Sequence, residues 1–191
     1  MSRTRFYTAT SIDGFIADER NALDWLFEVP AGDDTEGHDV RFSRFFADIG
    51  AMAMGATTYE WIVEHQGAIE HPGWWHDNYG RTPCWVFTHR ALPAIPGAEL
   101  RFVQGDVAPV HEEMVRAADG KDVWIVGGGE LAGSFDDAGL LDAIELDVAP
   151  VALGGGAPLL PRRLTSSRLA LAGVQRYGHF VHLTYHVQPA G

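Results

Sequence analysis

Apolar and polar residues alternate along three stretches of the chain, with the period of two that is typical of β-strands. Residues 4–10 carry aromatic and β-branched side chains in this pattern, and residues 169–175 and 179–187 flank a Tyr177-Gly178 turn. We expect the last two stretches to pair as an antiparallel hairpin. Short apolar runs predict further strands at 51–55, 85–88, 100–103, 122–126 and 143–148.

Helical spacing of apolar residues separates most of these strands. Residues 39–49 are predicted to form an amphipathic helix, whose inward face carries Val40, Phe42, Phe45, Phe46 and Ile49. Three more helices are predicted at 57–66, 110–118 and 131–138. Residues 67–83 are polar, aromatic and rich in turn formers, and we interpret them as a long loop of the kind that often binds ligands.

Strands that alternate with helices and end in a hairpin predict an α/β fold. We expect one domain over residues 1–191, a three-layer sandwich with a mostly parallel sheet and a C-terminal antiparallel hairpin. Ligands of such sheets lie beyond the carboxyl ends of the strands. Three turns fall at those ends, at residues 55–58, 88–90 and 127–130.

Three consecutive glycines follow the apolar run at 122–126 and precede a predicted helix. Glycines in such a turn let backbone N–H groups approach a phosphate, although tight turning or close packing explains them equally well. Gly127-x-Gly129-x-x-Ala132 formally matches a dinucleotide fingerprint, with Asp147 at the distance of a ribose-binding acid. Because only a strand and a hairpin follow, we favour an ordinary strand residue at Asp147.

A net charge of -12 narrows the classes of function. The surface repels polyanions, so we expect no nucleic-acid partner, although a local site with one arginine can still bind a small anion.

No apolar run reaches the ~20 residues of a membrane span, and residues 1–7 lack the apolar core of a signal peptide, so we expect a cytoplasmic protein. The single cysteine, Cys84, excludes an intramolecular disulfide, and the histidines lack zinc-binding spacing, so we expect no metal.

Five segments, taken in order, give the chain a resemblance to the dihydrofolate-reductase-like superfamily. It is particularly similar to the reductase domain of the riboflavin-biosynthesis enzymes and to the stand-alone bacterial relatives of that domain. The five segments are Ala9-Thr10-Ser11-Ile12-Asp13-Gly14-Phe15-Ile16-Ala17, Met54-Gly55-Ala56-Thr57-Thr58-Tyr59-Glu60, Val86-Phe87-Thr88-His89-Arg90, Val126-Gly127-Gly128-Gly129-Glu130-Leu131 and Pro150-Val151-Ala152-Leu153-Gly154-Gly155-Gly156-Ala157-Pro158-Leu159.

The resemblance implies NADPH bound in extended form across the strand ends. Ala9 and Ile16 are then expected beside the nicotinamide, and the two glycine-preceded helix starts beside phosphate groups. Residues 88–90 are expected beside the adenosine ribose. The implied cofactor-binding residues are Ala9, Ile16, Gly55, Thr57, Thr58, Thr88, His89, Arg90, Val126, Gly127, Gly128, Gly129, Glu130 and Leu131.

Two positions depart from the family pattern. Ala56 stands where many members carry an arginine for the 2′-phosphate of NADPH, and we expect Arg90 to make this contact instead. Pro30 stands where folate reductases carry a carboxylate, five residues beyond a tryptophan like Trp25. The resemblance therefore argues against folate reduction.

Candidate catalytic and substrate-binding residues come from the segment around Trp25. Asp13 and Asp24 are the candidate catalytic residues, although Asp13 is equally well explained as a turn residue that bonds its own backbone. Trp25 and Phe27 are the candidate apolar walls for the substrate. The loop aromatics Trp74 and Trp75 are either further walls or a cover for the core.

Taken with the resemblance, these residues predict an NADPH-dependent oxidoreductase that transfers hydride to a small heterocyclic or carbonyl substrate. One alternative is a 5-amino-6-(5-phosphoribosylamino)uracil reductase-type activity in riboflavin biosynthesis. That activity usually accompanies a deaminase domain, whose zinc-binding His/Cys signature is absent from this sequence. The other alternative is a non-catalytic nucleotide-binding module. The hairpin offers a strand edge for a second copy, which predicts a homodimer.

Overall fold

Ten strands and six helices make up the part of the chain that the computed structural model describes, residues 2–30 and 37–189. The strands are β1 (Thr4–Thr10), β2 (Phe15–Ala17), β3 (Ile49–Gly55), β4 (Cys84–Phe87), β5 (Leu100–Val103), β6 (Asp122–Gly127), β7 (Ala143–Val148), β8 (Ala157–Pro158), β9 (Leu169–Tyr177) and β10 (Phe180–Val187). The helices are α1 (Asp24–Phe27), α2 (Gly37–Ala47), α3 (Ala56–His65), α4 (Gly73–Tyr79), α5 (Val107–Ala117) and α6 (Gly129–Asp137). None of the helices in these described residues is long and apolar enough to cross a membrane.

Eight strands form one sheet in the order β5-β4-β3-β6-β1-β7-β10-β9. The first six run parallel, whereas β10 is antiparallel to β7 and pairs with β9 as the closing hairpin. A separate pair, β2 and β8, is antiparallel. The α/β prediction with a mostly parallel sheet and a C-terminal hairpin is therefore confirmed.

Helices cover the sheet on both faces, because alternate side chains of the parallel strands are apolar on either side. On one face, Phe6 and Ile125 pack with α5 and α6 around Phe135. On the other face, Met52 and Trp124 pack with α2, α3 and α4. These two cores and the sheet between them are the three layers.

The prediction of a long loop over residues 67–83 is wrong, because α4 lies within it. Trp75 is fully buried and Tyr79 nearly so, with their ring centroids 4.8 Å apart in an edge-to-face arrangement. These two aromatics are four residues apart, a spacing that brings them onto one helical face. Burial of that face outweighs the polar and turn-forming residues around it. Trp75 therefore belongs to the core and not to a substrate wall.

Candidate functional site

A cavity of about 340 Å³ opens where β3 and β6 end and the helices that follow them begin. The turn between β6 and α6 forms one wall, and the first turns of α3 form another. The β2 and β8 strands close a third side, because their pairing carries Ala157 and Pro158 to this edge of the sheet. The lining residues are Thr8, Ile16, Ala17, Asn21, Leu23, Thr57, Thr58, Trp61, Val126, Gly127, Gly128, Gly129, Glu130, Ala157 and Pro158.

The N-termini of α3 and α6 both meet this cavity. Gly55 precedes α3 and Gly128 precedes α6, and neither helix start is capped by a side-chain hydrogen bond. Thr57 and Thr58 of α3 line the cavity together with Gly129 and Glu130 of α6. Backbone N–H groups in the first turn of a helix have no partner within the helix, and the helix dipole adds partial positive charge. Two such ends at one cavity create a site suited to phosphate groups.

Each glycine of the 127–129 block has its own structural reason. A Cβ on Gly127 would lie 2.7 Å from the Thr58 Oγ1 atom, and a Cβ on Gly129 would lie 2.3 Å from the Pro158 carbonyl oxygen. Gly128 has φ +99°, a backbone conformation that favours glycine. Close packing and tight turning therefore both operate here, and they keep this wall free of side chains where it faces the cavity.

Charge is sparse among the described residues that line the cavity. Glu130 is the one ionisable side chain there, and it accepts a hydrogen bond from the Arg162 Nη1 atom at 3.0 Å. Arg162 also bonds Asp137 at 2.8 Å, so its guanidinium links the start of α6 to its end. This ion pair partly offsets the negative charge that Glu130 places beside the helix N-terminus.

The structure divides the predicted cofactor-binding residues into two groups. Those that line the cavity are Ile16, Thr57, Thr58, Val126, Gly127, Gly128, Gly129 and Glu130. The others are Ala9, Gly55, Thr88, His89, Arg90 and Leu131, which lie outside that lining. Gly55 is adjacent to it as the residue before α3, and Leu131 packs against the core below α6.

The predicted adenosine segment forms a turn after β4. Thr88 is buried, and its Oγ1 atom accepts a hydrogen bond from the Arg90 backbone N–H at 2.9 Å. His89 is exposed. The Arg90 guanidinium reaches α3, where its Nη2 atom lies 2.7 Å from the Glu60 Oε2 atom. Arg90 is therefore already paired with a carboxylate.

Asp13 joins the turn after β1 to the glycine-rich loop that precedes β8. Its carboxylate accepts hydrogen bonds from the Ser11 hydroxyl at 2.6 Å and from the backbone N–H groups of Leu153 and Gly154 at 3.1 and 2.7 Å. These bonds, the Ser11 bond foremost, lower the pKa of Asp13 to about 2. They support the alternative in which Asp13 stabilises a turn. Neither Asp13 nor Asp24, which is exposed at the first residue of α1, lines the cavity.

The aromatic residue that contacts the cavity is Trp61, which the sequence reasoning missed. Its ring stacks on His65 with centroids 4.7 Å apart and on Phe27 with centroids 6.2 Å apart. Phe27 is 66% exposed, whereas Trp25 is 8% exposed and packs inward. Trp61 follows Thr57 and Thr58 by four and three residues, so helical spacing in the predicted helix could have placed it on their face.

Asp147 lies outside the cavity lining, on the face of the sheet that α2 covers. It accepts hydrogen bonds from the Tyr7 and Tyr177 hydroxyls, both at 2.5 Å, and from the Arg41 guanidinium at 2.7 Å. The His182 Nδ1 atom is 2.8 Å away. Burial opposes ionisation, but these bonds outweigh it and hold the pKa of Asp147 below its usual range. Asp147 is thus the centre of a polar cluster that joins α2 to the hairpin, and not a ribose-binding acid.

Comparisons with known proteins agree with the fold. A solved dihydrofolate reductase from Enterococcus faecalis, in complex with NADP(H) and RAB-propyl, superposes with a TM-score of 0.59 at 17% identity, covering 97% of this chain and 96% of that one. A putative riboflavin biosynthesis protein from Shewanella sp. PV-4 superposes with a TM-score of 0.73 at 23% identity, covering 97% and 99%. The chain therefore has a dihydrofolate-reductase-like fold.

Sequence comparison defines the family more narrowly. The chain belongs to the RibD C-terminal domain family, whose model matches residues 77–183, more than half of the chain. It is also 29% identical over 184 residues to the uncharacterised protein YwjB of Bacillus subtilis (strain 168), covering 96% of this chain and 97% of that protein. The resemblance drawn from the five segments is confirmed.

Proposed function

We propose that this protein is an NADPH-dependent oxidoreductase that transfers hydride to a small heterocyclic or carbonyl substrate. The observation that carries the proposal is the meeting of two helix N-termini, those of α3 and α6, at one cavity of a reductase-type fold. Neither start has a side-chain cap, so both offer backbone donors to a ligand. A dinucleotide cofactor carries the phosphates that such donors suit.

The residues around the cavity fit such a cofactor, which supplies the hydride when it is bound. The first turns of α3 and α6 would hold its phosphates, while Ile16, Ala17 and Thr8 offer the apolar and small surfaces that a nicotinamide ring needs. The glycine wall at 127–129 keeps side chains out of the phosphate path. Most of the protein's contribution is then to position the donor and acceptor and to exclude water.

The substrate is expected on the side of the cavity where Trp61 and Leu23 form its wall. The stack of Phe27, Trp61 and His65 provides flat apolar surface against which a ring can lie. Neither candidate aspartate enters this proposal as a proton donor, since Asp13 is ionised in its turn and both lie outside the lining.

A negative charge introduced at the start of α3 tests the phosphate site. Thr57 is exposed at the second position of α3. The helix dipole stabilises a carboxylate at this position, so Thr57→Glu should not unfold the helix, but the carboxylate would repel a bound phosphate. We expect the affinity for NADPH, measured by calorimetric titration, to fall at least about tenfold while thermal stability is retained. Thr165→Glu, the same change at an exposed residue far along the chain, is the control.

Four outcomes separate the candidate functions. Binding of NADPH followed by its oxidation in a screen of pteridines, quinones and nitro compounds supports the reductase. Oxidation with 5-amino-6-(5-phosphoribosylamino)uracil itself would favour the riboflavin-type activity. Binding without turnover of any acceptor would favour the nucleotide-binding module, and failure to bind NADPH or NADH would reject the central proposal.

We further propose that the protein works as a cytoplasmic homodimer that associates through the hairpin. The β9 strand forms one end of the eight-stranded sheet, and Leu171, Val174 and Val181 of the hairpin are 58%, 59% and 38% exposed. Residues 169–188 contain no aspartate or glutamate, although the whole chain has a net charge of -12. This segment therefore adds no negative charge that would oppose the pairing of two copies. An apolar edge strand without acidic residues is also the kind that natural proteins usually cover.

A further inference from the structure

The ion pair between Arg90 and Glu60 lies next to the phosphate side of the cavity. The Arg90 Nη2 and Glu60 Oε2 atoms are 2.7 Å apart, and the two side chains are 58% and 32% exposed. On the β4 side, the Arg90 backbone is fixed by its hydrogen bond to Thr88. The pair thus bridges the end of β4 and the first turns of α3.

Helix geometry relates this pair to the cavity. Glu60 follows Thr57 by three residues on α3, so the two lie one above the other on the helix surface, about 4.5 Å apart along its axis. Thr57 lines the cavity. The Arg90 guanidinium is therefore held about one helical turn from the uncapped N-terminus of α3. Among the described lining residues there is no lysine or arginine, so the cavity itself provides no cation for an additional phosphate.

We propose that Glu60 is a specificity-determining residue that weakens the preference for NADPH over NADH by competing for Arg90. This inference rests on the proposed function. The 2′-phosphate of NADPH is a better partner for a guanidinium than a carboxylate is, because it is more highly charged and offers three acceptor oxygens. To bind it, Arg90 has to leave Glu60, and the released carboxylate then repels the phosphate. NADH lacks this phosphate and leaves the pair intact.

The size of the competition follows from the exposure of the pair. Exposed ion pairs change an equilibrium by at most about fivefold, because solvent screens the charges and the side chains lose freedom. We therefore expect Glu60→Gln to strengthen NADPH binding by about three- to fivefold and to leave NADH binding unchanged. Arg90→Gln should weaken NADPH binding by a larger factor, since it removes the guanidinium itself.

The test measures dissociation constants by calorimetry for two ligand pairs, NADPH against NADH and 2′,5′-ADP against 5′-AMP. The second pair carries the phosphate difference without any redox chemistry. The proteins are the wild type, Glu60→Gln, Arg90→Gln and the double variant, with Glu64→Gln as control. Glu64 is an exposed residue one turn further along α3, so its variant removes the same charge from the same helix.

Support requires that Glu60→Gln tighten binding of the two 2′-phosphorylated ligands alone, and that this effect vanish in the Arg90→Gln background. Equal tightening of NADH and NADPH, or the same gain in Glu64→Gln, would overturn the inference by showing a general charge effect. An unchanged ratio in Glu60→Gln would also overturn it while leaving the proposed function intact. If the wild type binds neither nicotinamide cofactor, the proposed function and this inference fail together.

Discussion

Substitution of Gly129 by alanine tests the close approach that builds one wall of the cavity. Gly129 is the first residue of α6, and a Cβ there would lie 2.3 Å from the Pro158 carbonyl oxygen and 2.5 Å from that of Leu159. Both are backbone atoms, so no rotamer change can relieve the contact. The added methyl group has to push the β8 segment away from α6.

The expected magnitude follows from two opposing effects. Overpacking of this kind costs about 1–3 kcal/mol, and contacts this short with two carbonyl oxygens belong at the upper end. Alanine offsets up to about 1 kcal/mol of that cost through its better helix propensity and a less flexible unfolded chain. We therefore expect the free energy of unfolding to fall by about 2 kcal/mol in Gly129→Ala.

Urea denaturation provides the measurement, and Gly73→Ala provides the control. Gly73 is the first residue of α4, has no positive φ, and would carry a Cβ with no heavy atom within 4 Å of it. It should therefore gain up to about 1 kcal/mol from the same substitution. Equal denaturation midpoints for the two variants, with unchanged slopes, would refute the close contact between β8 and α6. The start of α6 and the β8 segment would then not form adjacent walls of the cavity.

Three further substitutions test the rest of the structure. Asp147→Asn should lower the free energy of unfolding by about 3 kcal/mol in urea denaturation, because it leaves the partly buried Arg41 without its carboxylate. A change within experimental error would contradict the stabilising role of this ion pair. Asp13→Asn should destabilise the protein above about pH 4 and lose its effect as the pH falls towards 2, since the carboxyl group has a pKa of about 2 in the folded protein. A difference in unfolding free energy between variant and wild type that stays constant from pH 7 to pH 2 would contradict this prediction. Val174→Lys should convert the proposed homodimer to a monomer by light scattering, whereas Val40→Lys, at an exposed residue of α2, should not.

Local patterns were enough to predict most of the fold. Alternation located β1 and the hairpin, and apolar runs that end in glycine located β3 and β6. These signals work because the side-chain period of a strand and the turn chemistry of glycine are properties of a few adjacent residues. The helix over residues 73–79 was missed because burial of Trp75 outweighs a polar local composition, and burial depends on residues far away in the chain.

Local patterns also predict part of the candidate site. Thr57, Thr58 and the 127–129 glycines follow strands, and the carboxyl ends of parallel strands share one edge of the sheet. The pairing of β2 with β8 carries Pro158 to the same cavity, and Asn21 and Leu23 line it from the segment after β2. Such long-range pairing leaves no pattern in adjacent residues.

The sequence by itself determined the α/β class, the strand-end glycine turns and the family resemblance, since each depends on the residues of short segments and on the order of those segments. Only the tertiary structure decided what the charged residues do. It placed Asp13 in a turn, Asp147 in a buried cluster outside the cavity lining, and Arg90 against Glu60. The partner of a charged side chain depends on long-range contacts, and the partner determines whether that charge stabilises the fold or meets a ligand.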